Sequence, residues 1–170
     1  MNILRAAALA ATLISCHSFA ADSVNVNVTG NIIASPCIFN GGNNDLDINL
    51  GNIQATNMVT PGSTSVPVPF SLMFTQCPAG TSSVTVSFTG NPDPVAGVDY
   101  YMNSGSATNV AVAMREAGTG TLKGTGSSMT QNIAADRTAS MPMQASVISL
   151  SGGATPGSIS AVVVMTMQYN

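Results

Sequence analysis

Few side chains in this sequence could do chemistry. Asp45 and Asp47, in "GGNNDLDINLGN", are two residues apart and would share one face of an extended strand, as a pair of carboxylates working as acid and base would. Leu46, Ile48 and Leu50 take the opposite face, so the two acids read as the solvated side of a strand. The same stretch has the Asn and Asp of a calcium loop but lacks the late bidentate Glu and the residue order of an EF-hand. "GTGTLKGTG", residues 118–126, has the glycines of a phosphate loop without the Gly-Lys-Ser/Thr order or a readable helix after it. It reads as a glycine-rich hairpin, and no cofactor or metal site is expected.

The single histidine, His17, belongs to the opening "MNILRAAALAATLISCHSFAAD". One basic residue, Arg5, an apolar run from Ala6 to Ile14, and small residues at Ser18 and Ala20 are the layout of a secretory signal cleaved after Ala20. The run is too short to span a bilayer. A competing reading makes Cys16 the acylated first residue of a lipoprotein; the ordinary cleavage site at Ala20 favours the signal over residues 1–20. Without histidine, residues 21–170 can hold no Ser-His-Asp triad, histidine metal site or Cys–His pair. Catalysis is not expected.

Charge narrows the field further. Only 6% of residues are charged, against roughly 25% in ordinary globular proteins. After the signal the cations are Arg115, Lys123 and Arg137, too few for a phosphate backbone, so nucleic acid is not an expected partner. Two cysteines remain, Cys37 and Cys77. In a chain exported to an oxidising compartment they should pair, the alternative being two free thiols packed in the core.

The elements that must position these residues are strands. Apolar and polar residues alternate in Val24–Ile32, Leu46–Leu50, Val66–Phe74, Val84–Phe88, Val110–Met114, Met141–Val147 and Ile159–Tyr169. Turn formers such as "GTSS", "TGNPDP", "NSGSATN" and "SGGATPG" separate them. Short strands at this spacing predict an all-β sandwich or barrel. Pro67, Pro69 and Pro142 should lie on edge strands or at bulges, because proline cannot donate to a ladder. The last strand is nearly chargeless, with Ala161, Val163, Met165, Met167 and Tyr169 on one face, and left at an open edge it would invite aggregation. Something should cover it.

The first strand, "SVNVNVTGNI" (Ser23–Ile32), places Val24, Val26, Val28, Gly30 and Ile32 on one side and Asn25, Asn27, Thr29 and Asn31 on the other. Taken with Cys37 just behind it, "LDINLGNI", the second cysteine in "SLMFTQCPAGTSSVTVSFTG", Gly157 near the end and the penultimate Tyr169, it resembles the subunits of chaperone–usher fimbriae. "CPAGTSSVTVSFTG", "YYMNSG" and "GGATPGSISAVV" are similar to the minor tip subunits of type 1 fimbriae. The resemblance implies an incomplete immunoglobulin-like β-sandwich (pilin fold) lacking its final strand, completed by a donor strand from another chain. It implies a division into residues 21–33, a donor extension, and 34–170, the pilin domain.

By the same resemblance Val24, Val26, Val28, Gly30 and Ile32 would be donated to a neighbour's sheet, with Gly30 over a shallow pocket. Gly157, Ala161, Val163, Met165, Met167, Tyr169 and Asn170 would form the acceptor groove and the contact with a periplasmic chaperone, which anchors the C-terminal carboxylate. Neighbouring subunits, an adhesin among them, and an outer-membrane usher are the other implied partners. The implied role is a tip adaptor joining adhesin to fibre at the cell surface, after passage through the periplasm. A rod pilin shares this architecture. A sugar-binding adhesin is the reading from another class; it would carry an extra lectin domain, for which the chain is too short, and the absence of Trp also argues against it. From alternation alone, Val24–Ile32 could equally be the first strand of a complete sandwich.

Overall fold

The computed structural model describes residues 24–32 and 36–170. These fall into two units, divided after Ile32. The expected signal, residues 1–20, lies outside the described residues. In the first unit, residues 24–32 carry no strand assignment, and Val24, Val26, Val28 and Ile32 are largely exposed.

The regular structure of the second unit is mostly strands, beside two short 3-10 turns at Asn40–Gly42 and Ala55–Met58: β1 (Ile38–Phe39), β2 (Ser63–Thr64), β3 (Val68–Thr75), β4 (Ser83–Gly90), β5 (Pro92–Asp93), β6 (Gly97–Met102), β7 (Ala111–Glu116), β8 (Ser128–Asn132), β9 (Ala139–Ser149) and β10 (Val163–Tyr169). One sheet has the order β1-β3-β9-β7-β6-β5, with β2 continuing alongside β9; the other has the order β10-β4-β8. The pairings between these strands are antiparallel. Alternation sets the inward faces: Leu72 and Phe74 from β3, Val84, Val86 and Phe88 from β4, and Met141 and Met143 from β9 are fully buried between the sheets. This is the expected immunoglobulin-like sandwich.

Cys37 and Cys77 are joined by a disulfide. The β1–β3 register, Ile38 opposite Thr75 and Phe39 opposite Phe74, brings the two cysteines flanking it together. The "GTGTLKGTG" stretch turns back on β7 as a hairpin, with Arg115 bridged to Leu122 and Lys123 N–H donating to the Met114 carbonyl at 2.8 Å. It also brings the buried Lys123 to Glu116, 3.5 Å away, while its carbonyl accepts from the buried Tyr101 hydroxyl at 2.8 Å.

The structure corrects the sequence reading in three places. Leu46–Leu50 alternates as expected, with Leu46, Ile48 and Leu50 half-buried and Asp45, Asp47 and Asn49 exposed, but it joins neither sheet. Strands β6 and β8 escape the pattern because each sends one large side chain into the core, Tyr101 and Met129 respectively. Pro142 lies in β9, a central strand. It is tolerated because β7 has ended at Glu116: the Pro142 carbonyl accepts from Ala117 N–H at 3.0 Å, so its donorless nitrogen faces the same side, past the end of that ladder. Pro69 has the same parity as Ser71, the partner of Pro142, so its nitrogen faces away from β9, toward an edge that β1 covers only at Phe74 and Thr75.

Candidate strand-acceptor groove

Strand β10 pairs with β4 along its whole length, Val163 opposite Gly90 through Tyr169 opposite Val84. Its other edge has no strand beside it among the described residues. Across from that edge runs the extended segment 46–53. Between them lies a cleft of about 730 Å³. Leu46, Ile48, Leu50 and Ile53 form one wall, Ala161, Val163 and Met165 the other, and Phe70, Val112, Met114 and Ala145 of the large sheet the floor.

Three local features shape this cleft. Asn side chains tie the wall to itself, Asn43 Oδ1 accepting from Asp45 N–H at 3.0 Å and Asn49 Oδ1 from Gly51 N–H at 2.9 Å. Gly157 lets the chain before β10 lie directly on residues 103–108, since a Cβ there would overlap the backbone of Ser106 and Ala107. That contact is sealed by Ala107 N–H donating to the Ser158 carbonyl at 3.0 Å and Ser104 N–H to the Ser160 carbonyl at 2.8 Å. At the other end the Tyr169 ring packs against Phe74, and β10 is extended by one residue as Asn170 exchanges backbone hydrogen bonds with Ser83.

Both walls therefore offer backbone groups to a strand lying between them. Among the described residues the 46–50 backbone has no ladder partner, and neither does the outward edge of β10. Exposed donors and acceptors on both sides of a channel with apolar side chains along its floor are the requirements of strand addition, in which main-chain bonds give affinity and alternate side chains fill pockets. Among the described residues Asp47 is the only charged one along the cleft, and its side chain is exposed. Among the described residues no group of three or more His, Cys, Asp or Glu is placed to hold a metal.

Of the residues singled out from sequence, Gly157, Ala161, Val163 and Met165 line the cleft. Met167 and Tyr169 share their face but pack on the core beyond the cleft. The Asn170 carbonyl accepts from the N–H groups of Ser82 and Ser83 and from the Ser82 hydroxyl, the last at 3.1 Å. Val24, Val26, Val28, Gly30 and Ile32 belong to the other unit. Sequence reasoning missed the opposite wall and the floor. The alternation of "LDINL" signalled a half-buried segment, but nothing in it signalled a missing neighbour.

Relatives give this geometry a context. Residues 26–170 match the family model described as Fimbrial protein. The chain is 33% identical over 151 residues to Protein FimG of Escherichia coli strain K12, covering 88% of this chain and 87% of that protein. It is 33% identical over 143 residues to the uncharacterized fimbrial-like protein YdeR of the same strain, covering 84% and 83%. The crystal structure of the P pilus rod subunit PapA shares its fold, with a TM-score of 0.65 at 19% identity over 80% of this chain and 100% of that one. A sandwich open along one strand, in a chain matched by this family from Val26 to its last residue, identifies the protein as a member of the fimbrial protein family, a pilus subunit.

Proposed function

We propose that the chain is a minor subunit that links an adhesin to the fibre, giving residues 21–33 to one neighbour and accepting a strand from another into the cleft beside β10. The observation that carries this reading is the pair of backbone edges, unpartnered among the described residues, on either side of one cleft floored by apolar side chains. The strand to be donated carries Val24, Val26, Val28 and Ile32 in step, all exposed. Burying these four side chains would contribute about 6–12 kcal/mol at roughly 1.5–3 each, an upper bound. That rivals the roughly 5–15 kcal/mol stability of a whole domain. A sandwich short of one strand is then weakly stable, and a complemented one is hard to unfold.

The adaptor position is supported by the likeness of "CPAGTSSVTVSFTG", "YYMNSG" and "GGATPGSISAVV" to minor tip subunits. Passage through the periplasm, with a chaperone strand holding the cleft and an usher exchanging it, is supported by the family and by the need to shield the cleft before assembly. Surface display on the fimbrium is the end point. A rod subunit is the second reading, because rod and adaptor share this architecture. Copy number in purified fibres separates the two, since high stoichiometry is incompatible with an adaptor.

Strand acceptance is tested by thermal unfolding of the oxidised domain, residues 34–170, alone and with a panel of donor peptides that includes residues 23–35. A large rise in Tm with any donor is the expected result. A domain indifferent to every strand would overturn the reading.

A further inference from the structure

Beyond the cleft itself, we propose that the end of the domain at which β10 begins is a second contact surface, a docking face for the globular base of the subunit that donates the strand. The proposal rests on the strand-acceptance reading above. Val59, Pro61 and Leu150 are exposed there, Val59 at 59% and Leu150 at 43%. Hydrogen bonds gather them: Gly153 N–H donates to the Val59 carbonyl at 2.9 Å, and Gly62 N–H reaches the Leu150 carbonyl at 3.2 Å. Ile53, Gly157 and Ile159 line both the cleft and a smaller cavity under Met58 and Pro156, so the patch adjoins the mouth of the cleft.

The patch is built rigidly. Gly152 is buried with no room for a Cβ between the Val59 carbonyl and Pro61. Ser149 Oγ donates to the Asn109 carbonyl at 2.6 Å, and Asn109 Nδ2 donates to the Gly153 carbonyl at 3.1 Å. An ordered apolar surface loses little conformational freedom on binding.

Chain length limits what can arrive there. A strand completing the sandwich antiparallel to β10 ends beside Val163, where β10 starts. In this sequence five residue steps separate Ile32, the last donor residue, from Cys37, the first cysteine of the domain. They span about 18 Å at most when fully extended. A donor built with a linker of this length holds its own base within that distance of the cleft mouth, in reach of Val59, Pro61 and Leu150. Contact between the two bodies there would restrict how fibre subunits swing about the linker.

The test is surface footprinting with a photo-generated carbene on the full chain complemented by an excess of residues 23–35 peptide, and on fibres sheared from cells that assemble it. The expected result is that Val59 and Leu150 label in the peptide complex and lose labelling in fibres. Equal labelling in the two samples would overturn the docking face while leaving strand acceptance intact. Failure of the chain to take up any donor peptide would instead overturn strand acceptance, and the docking face with it.

Discussion

The ring of Tyr169 meets that of Phe74 nearly edge-on, with centroids 6.5 Å apart and planes inclined at 79°. This contact ties the last residues of β10 to the large sheet below the cleft, and Phe74 is in turn packed on Phe39 at 5.4 Å. Truncating Tyr169 to Ala should cost about 2–3 kcal/mol, less than a fully buried aromatic, because the ring is only half-buried. Tyr169→Phe keeps the ring and gives up a weak bond from the hydroxyl to Met167 Sδ at 3.7 Å, so its cost should stay under about 1 kcal/mol. Denaturant unfolding of the two variants checks the ratio.

Gly157 has no space for a side chain, whereas Gly118 is open on all sides. Gly157→Ala should lower stability by about 1–3 kcal/mol, because the methyl group must displace the backbone of Ser106 and Ala107. Since Gly157 lines the cleft on the approach to β10, the same variant should also weaken donor-peptide capture. Gly118→Ala should leave both unchanged, and an equal effect of the two would remove close packing as the cause.

The disulfide closes a loop of sequence separation 40 at the point where the chain enters the sandwich. Reduction, or Cys37→Ser with Cys77→Ser, should destabilise the domain by about 2–4 kcal/mol, chiefly by freeing the unfolded chain. In a domain already short of one strand, that loss should bring Tm close to ambient temperature, and donor peptide should restore it. Thermal scans with and without reductant and peptide give the answer.

How much of this fold is legible in sequence depends on what alternation can report. It reports that a face is buried, so Val84, Val86 and Phe88, or Met141 and Met143, stand out as core residues from their spacing alone. It does not report which neighbour a strand has. The Leu46–Leu50 segment and β10 carry equally good patterns, yet among the described residues one joins no ladder and the other has one on a single side. The cleft is defined by those missing partners. Its floor residues Phe70, Val112, Met114 and Ala145 come from three different strands and meet only in the folded sheet. Strands with one buried anchor, such as Tyr101 in β6, look like loops until their ladders are seen.

Burial pushes the Tyr101 hydroxyl up from its usual 10.0 to about 12. A folded-state pKa above the unfolded one contributes stability that is complete below about pH 10 and is lost as pH rises toward about 12. Two pH units correspond to about 3 kcal/mol. Tyr101→Phe should therefore flatten the decline in stability between those limits. At neutral pH the variant should cost roughly 1 kcal/mol, because the Lys123 carbonyl loses its donor. Urea midpoints measured from pH 7 to pH 11 test the sign: a slope unchanged by the substitution would assign the alkaline loss to other groups.

Adjacent residues of β10 allow the cleft to be tested against the strand that carries it. Met165 faces the cleft and is half-buried; Val164 faces away and is exposed at 58%. Met165→Asp would put a carboxylate against the path of an incoming apolar strand, where an unpaired buried charge costs several kcal/mol. With the cleft empty, that carboxylate can still reach water, so the domain should remain folded while donor capture falls steeply. Val164→Asp alters the same strand by the same charge on the solvent side, and capture should be near normal. Peptide titration of both variants beside the parent reads the difference directly. Equal loss in both would mean that β10 tolerates no charge on either face, and equal retention would mean that the donor does not pass Met165.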